Sequence, residues 1–170
     1  SKPKYFITLG RPVKRKGFSW LLDHVVRELP NNFQLIMLGP FNKKPKWTDK
    51  MLRLLPKKIY HIITLFLGYP SDEKQIRKLL KNPQIAAKVV HFGKVPFPDL
   101  KALLANSTAF LMPNIHVPGD MEGFGLVCLE ASLSGTLVVA SATEGIIDAI
   151  KDKKNGILLP SSNKEAWKRI

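Results

Sequence analysis

Met121-Glu122-Gly123-Phe124-Gly125-Leu126-Val127-Cys128-Leu129-Glu130-Ala131 stands between two apolar runs, Ala109 to Pro113 before it and Thr136 to Ala140 after it. That order reads as strand, loop, helix, strand. Two glycines flank Phe124 where the helix begins, so the first amides carry little side-chain cover and the positive end of the helix dipole is open to a phosphate or sugar oxygen. Glu122 and Glu130 bracket the segment. A helix running through both would separate them by about 12 Å at about 1.5 Å per residue. One carboxylate would then face each end of an extended ligand, with Glu130 placed to accept both hydroxyls of a ribose diol. A Gly-rich turn of this kind also serves plain helix–sheet packing, so this segment alone leaves both readings open.

A second signal lies near the amino end. Tyr5-Phe6-Ile7-Thr8-Leu9 has strong β character and stops at Gly10-Arg11; Pro12 to Gly17 follows, and then apolar residues at helical spacing, Phe18, Leu21, Leu22, Val25, Val26 and Leu29. A strand ending in Gly-Arg, with Lys16-Gly17 opening the next helix, puts two cations at the carboxyl edge of the sheet, where open α/β sheets bind ligands. Arg11 offers a planar fork and Lys16 a mobile point charge, a pairing that suits a diphosphate better than a single carboxylate. Lys14 and Arg15 are read as the members of this turn that face solvent.

The remaining pattern agrees with a doubly wound parallel α/β sheet of Rossmann-like type. Strands are expected over Phe33 to Leu38, Val89 to Phe92 and Gly156 to Leu159. Helices are expected over Asp72 to Lys81 with Ser71 as N-cap, Asp99 to Leu104, Glu144 to Ile150, and from Asn163 onward. Residues 41–70 fit least well and read as an insertion, within which Ile59 to Leu67 is expected to be a strand. That run is far shorter than the roughly 20 apolar residues needed to span a bilayer.

Gly10-Arg11-x4-Lys16-Gly17, Glu122-x7-Glu130 and Gly135-Thr136-Leu137-Val138-Val139-Ala140 together resemble the donor-binding half of a family-4 (group 1) retaining glycosyltransferase with the GT-B fold. The likeness runs from about Tyr5 to Pro160. It implies that Arg11 and Lys16 bind the donor's diphosphate next to Gly10 and stabilise charge on the leaving nucleotide, and that Glu122 lies beside the transferred sugar. It further implies that Gly123, Phe124, Gly125 and Leu126 offer amides to sugar and phosphate, that Glu130 holds the ribose, and that the base sits near Gly93, Lys94 and Val95. Metal independence is implied too, the donor being a nucleotide-diphosphate sugar, and the acceptor would belong to an amino-terminal domain outside these 170 residues. By itself the chain is expected to transfer nothing, since catalysis needs both reactants held in register. Two departures stand out. Thr136 occupies a position where the family usually has proline, with little consequence expected. Glu144-Gly145 replaces Gly-Gly, adding a carboxylate near the expected diphosphate.

Net charge is +14, from 27 Lys and Arg against 13 Asp and Glu. Three accounts compete: solvated charge in a lysine-rich background, attraction to an anionic cytoplasmic membrane face at about 1 kcal/mol per cation, and nucleic acid. The last is disfavoured, because no nucleic-acid motif is present and the aromatics fall in core-like runs. One cysteine, Cys128, excludes an internal disulfide and fits a reducing compartment, the cytoplasm. His24, His61, His91 and His116 lack zinc-ligand spacing, and Asp120 with Glu122 alone makes no divalent-metal site. The competing functional classes are another GT-B enzyme, such as a sugar-nucleotide epimerase or phosphorylase, and a basic binding module without enzymatic activity.

Overall fold

The computed structural model describes residues 4–41, 56, 59, 71–143 and 145–170. Among these residues six strands form one sheet: β1 (Phe6–Leu9), β2 (Leu35–Leu38), β3 (Val89–Phe92), β4 (Ala109–Met112), β5 (Val138–Ser141) and β6 (Ile157–Leu159). Every pairing is parallel, and the order across the sheet is β3-β2-β1-β4-β5-β6. Parallel strands require crossovers, and the connections carry α1 (Phe18–Leu21), α2 (Glu73–Leu79), α3 (Pro83–Ala86), α4 (Phe97–Asn106), α5 (Leu126–Leu133) and α6 (Ile146–Ala149), with α7 (Lys164–Trp167) after β6.

Alternation along β4 explains the two cores. Ala109 and Leu111 point to one face, with Phe18, Leu22, Val25, Ile76 and Trp167. Phe110 and Met112 point to the other, with Cys128, Ala131, Ile146 and Ile150. All four β4 residues are buried, as expected for a central strand covered on both faces. The chain turns from one half of the sheet to the other between β1 and β4, and this is the topological switch point at whose carboxyl edge ligands bind.

Several elements differ from expectation in local detail. The first helix is α-helical only over Phe18–Leu21 and continues as a π-helix over Leu22–Val26. Asp72, not Ser71, occupies the N-cap of α2, although Ser71 Oγ still accepts the Glu73 amide at 3.3 Å. Asp72 instead turns its carboxylate to α1, accepting from the Ser19 amide at 2.9 Å and the Ser19 hydroxyl at 2.7 Å. Helix α4 starts at Phe97, where Pro98 fits the first turn, rather than at Asp99. The short helix α3 was not expected; Asn82 caps it by accepting the Gln84 amide at 2.9 Å. Thr136 has more consequence than its replacement of proline suggests. Its hydroxyl donates to the Leu104 carbonyl at 2.6 Å and its amide to Ala131 at 3.1 Å, a bond proline cannot make. Of residues 41–70 only Phe41, Pro56 and Ile59 are described, Ile59 being helical; the insertion and the strand expected over Ile59 to Leu67 otherwise lie outside the described residues.

Candidate functional site

The turns after β1 and β4 meet at the switch point in close backbone contact. Gly17 sits at φ 65°, and a Cβ there would fall 1.9 Å from the Pro113 carbonyl oxygen, so only glycine allows the approach. The Ile115 amide donates to the Arg15 carbonyl at 2.9 Å across the same seam.

This contact brings the expected cation and carboxylate together. Lys16 is 6 % exposed, on the 3₁₀ turn Lys14–Lys16, and its Nζ lies 2.8 Å from Glu122 Oε2. Asn114 Nδ2 donates to the same oxygen at 3.3 Å, and so does Arg15 Nε at 3.3 Å. Arg15 Nη1 reaches Asp120 Oδ1 at 3.0 Å. Burial pushes the Glu122 carboxyl up, but the Lys16 ammonium, the Asn114 amide and Arg15 outweigh it and hold the group below the usual carboxylate range. Ser161, after β6, closes the back of the cluster by donating to the Asn114 carbonyl at 2.9 Å.

Arg15 therefore corrects the sequence reading. Lys14 faces solvent as expected, but Arg15 is folded over two carboxylates with its side chain only 17 % exposed. Arg11 is exposed, and among the described residues its guanidinium has no partner. Nothing in the local sequence separates Arg15 from Lys14; the signal available was the Asp120-x-Glu122 pair, which calls for cations nearby once metal is set aside. Among the described residues no group of three His, Cys, Asp or Glu side chains is arranged to hold a metal ion.

The glycine loop lies beside this cluster. Gly123, Phe124 and Leu126 are exposed, and Gly125 enters α5 in the left-handed region. Among the described residues the amides of 123–127 have no hydrogen-bond acceptor, so the α5 N-terminus presents bare donors. The next loop presses against it: a Cβ on Gly145 would fall 1.2 Å from the Gly123 carbonyl oxygen. Glu144, with its expected extra carboxylate, lies outside the described residues. Glu130 is exposed on the second turn of α5. Because α5 begins only at Leu126, the helical rise to Glu130 is about 6 Å rather than the 12 Å expected for a helix through both glutamates.

Gly93, Lys94 and Val95 follow β3, on the same carboxyl edge but beyond β2 from the cluster. The Gly39 amide ties the β2 end to them, donating to the carbonyls of Phe92 at 3.1 Å and Gly93 at 3.3 Å. An aromatic stack stands there that sequence reasoning missed: His91 lies on Phe41 with ring centroids 3.9 Å apart, and Arg77 covers the Phe41 ring at 4.4 Å. His91 Nε2 is 2.9 Å from the Gly39 carbonyl. Burial holds its imidazole below the ordinary histidine range.

Over residues 1–170 the sequence matches the family described as Glycosyl transferases group 1. The chain belongs to that family. Among curated relatives, a D-inositol 3-phosphate glycosyltransferase of Pseudarthrobacter chlorophenolicus is 31 % identical over 85 % of this chain and 34 % of its own length. A putative colanic acid biosynthesis glycosyltransferase, WcaL, of Salmonella typhimurium is 32 % identical over 59 % of this chain and 25 % of its own. Among solved structures, sucrose-phosphate synthase from Thermosynechococcus elongatus superposes with a TM-score of 0.70 at 20 % identity, over 99 % of this chain and 35 % of that one. Anabaena Alr3699/HepE, solved with UDP and glucose, gives 0.64 at 21 %, over 98 % and 37 %. At these identities the superpositions establish the fold, the Rossmann-like half of GT-B glycosyltransferases. This group 1 chain spans about a quarter to a third of the length of these relatives.

Proposed function

We propose that this group 1 chain is the donor-binding domain of a retaining glycosyltransferase that moves a hexosyl group from a nucleotide-diphosphate sugar to an acceptor hydroxyl, the acceptor being held by a second domain of the same protein. The observation that carries the reading is the meeting, at one switch point, of the Arg11–Lys16 turn, Glu122 and the bare amides at the start of α5. A diphosphate in that corner meets cations from one side and helix-terminal donors from the other. The same groups oppose the charge that develops on the departing nucleotide, which is the preorganised electrostatic assistance that lowers such barriers, and no metal is assigned a part in it. Glu122 orients the transferred sugar. Glu130 lies further along α5 for the ribose, and Gly93, Lys94 and Val95 stand at the outer end of the edge for the base. UDP-bound HepE supports the choice of a nucleotide-sugar donor.

Calorimetric titration with UDP-, GDP- and ADP-sugars tests the assignment. Binding of one nucleotide class is expected, weakened about tenfold or more by Arg11→Ala and by Lys16→Ala, the loss of a charge-assisted contact being worth about 1.5–3 kcal/mol. Nucleotide affinity unchanged in both variants would remove the phosphate assignment. No nucleotide binding, with tight salt-sensitive binding to DNA, would favour a basic binding module. The cationic surface also supports peripheral contact with an anionic membrane on its cytoplasmic side: Lys14, Lys74 and Lys78 rim an open concavity of about 520 Å³ beside the site, and among the described residues no acid pairs with them.

A further inference from the structure

The four charged side chains at the seam form an unbroken chain of ion pairs, Asp120 to Arg15 to Glu122 to Lys16. Arg15 and Lys16 supply two positive charges, Asp120 and Glu122 two negative ones, and Glu122 Oε2 is shared by both cations. Lys16, the residue assigned to the diphosphate, is thus already paired at 2.8 Å, with its stem running beside Gly10, where a Cβ would lie 3.5 Å from Cε. A diphosphate competes with Glu122 for that ammonium. If Lys16 were Glu122's sole counter-ion, turning to phosphate would strand a half-buried carboxylate next to an arriving anion, an arrangement that strongly opposes binding. Arg15 removes this obstacle. Its guanidinium forks, Nη1 to Asp120 and Nε to Glu122, and its own carbonyl is pinned by the Ile115 amide.

We propose that Arg15 is a positioning residue of the donor site: anchored to Asp120, it remains as the counter-ion of Glu122 while Lys16 transfers from that carboxylate to the incoming diphosphate. The inference rests on the donor-domain reading. It assigns Asp120 a part as well, that of fixing the guanidinium so that the fork faces Glu122. It also makes Lys16 a two-position side chain, held in reserve by Glu122 before the donor arrives.

A double-mutant cycle read out by UDP, GDP and ADP affinity tests this without knowledge of the sugar. Glu122→Gln is expected to tighten nucleotide binding a few-fold, because Lys16 is released. Arg15→Met is expected to weaken it about tenfold in the native background and to leave it unchanged, within about twofold, in the Glu122→Gln background. Arg15→Lys keeps the charge but not the fork that anchors it to Asp120, and is expected to fall between the native affinity and that of Arg15→Met. Arg15→Gln replaces Arg15→Met should the latter fail to fold, as judged by circular dichroism and thermal denaturation. An equal loss in both backgrounds overturns the proposal, since it marks a residue that touches the nucleotide itself or merely supports the loop, and so does the absence of any loss. Those outcomes leave the donor reading intact; native protein that binds none of the three nucleotides defeats both.

Discussion

Gly145→Ala is the sharpest single test of how the site is assembled. Gly145 has an ordinary helical conformation, φ −62° and ψ −13°, so alanine meets no backbone penalty there and the whole effect comes from space. The added Cβ would lie 1.2 Å from the Gly123 carbonyl oxygen, 2.4 Å from its carbon and 3.0 Å from the Glu122 carbonyl oxygen. Backbone on both sides must separate by about 2 Å to restore contact distance, and forced overpacking of this kind costs about 1–3 kcal/mol. For a domain of this size each kcal/mol lowers Tm by about 2–4 °C, so a fall of roughly 2–12 °C is expected in calorimetry. The displaced loop carries both Glu122 and the amides at the start of α5, and a shift of even 1 Å at such a site can lower activity about a hundredfold. Nucleotide affinity is therefore expected to fall together with Tm. Gly93→Ala supplies the control for Tm alone, because nothing lies within 4 Å of a Cβ built there, while its place at the proposed base site keeps it out of the affinity comparison. Native Tm and native nucleotide affinity in Gly145→Ala would refute the claim that the loops after β4 and β5 are pressed together.

Three further outcomes follow from the site's surroundings. Burial pushes the Cys128 thiol up to about 12, so the folded protein is expected to resist Ellman's reagent at pH 8 and to react only after denaturation, since the thiolate is the reactive form; prompt labelling of folded protein would contradict this. Glu122 titrates below its ordinary value of 4.5 in the folded state, so its contribution to stability is present above that pH and lost as pH falls through the lower folded value. Denaturant titrations from pH 6 to 3 are expected to show a shallower acid loss in Glu122→Gln, and an unaltered slope would argue against the ion-pair cluster. Co-sedimentation with vesicles containing anionic lipid is expected to fall in Lys14→Glu/Lys74→Glu/Lys78→Glu and with added salt; equal binding to neutral vesicles would dismiss a charge-driven membrane contact.

The sequence by itself determined the architecture. Each of the six strands was legible as a short apolar run, and the helical spacing from Phe18 to Leu29 appears as buried Phe18, Leu21, Leu22, Val25 and Val26, because a parallel sheet covered on both faces leaves strands and helices few ways to bury apolar surface. The convergence of the turn that carries Lys16 with the loop that carries Glu122 was also readable, since both follow strands whose carboxyl ends share one edge of the sheet. What the tertiary structure decided was partnership. Arg15 and Lys14 are neighbours with similar chemistry, and no local rule predicts that one is folded against Asp120 and Glu122, more than a hundred positions away, while the other stands in solvent. The separation of Glu122 and Glu130 likewise depended on α5 beginning at Leu126, a boundary set where the loop packs against Gly145. Pattern fixes which face a side chain occupies; which opposite charge it meets is set only when distant strands come to lie side by side.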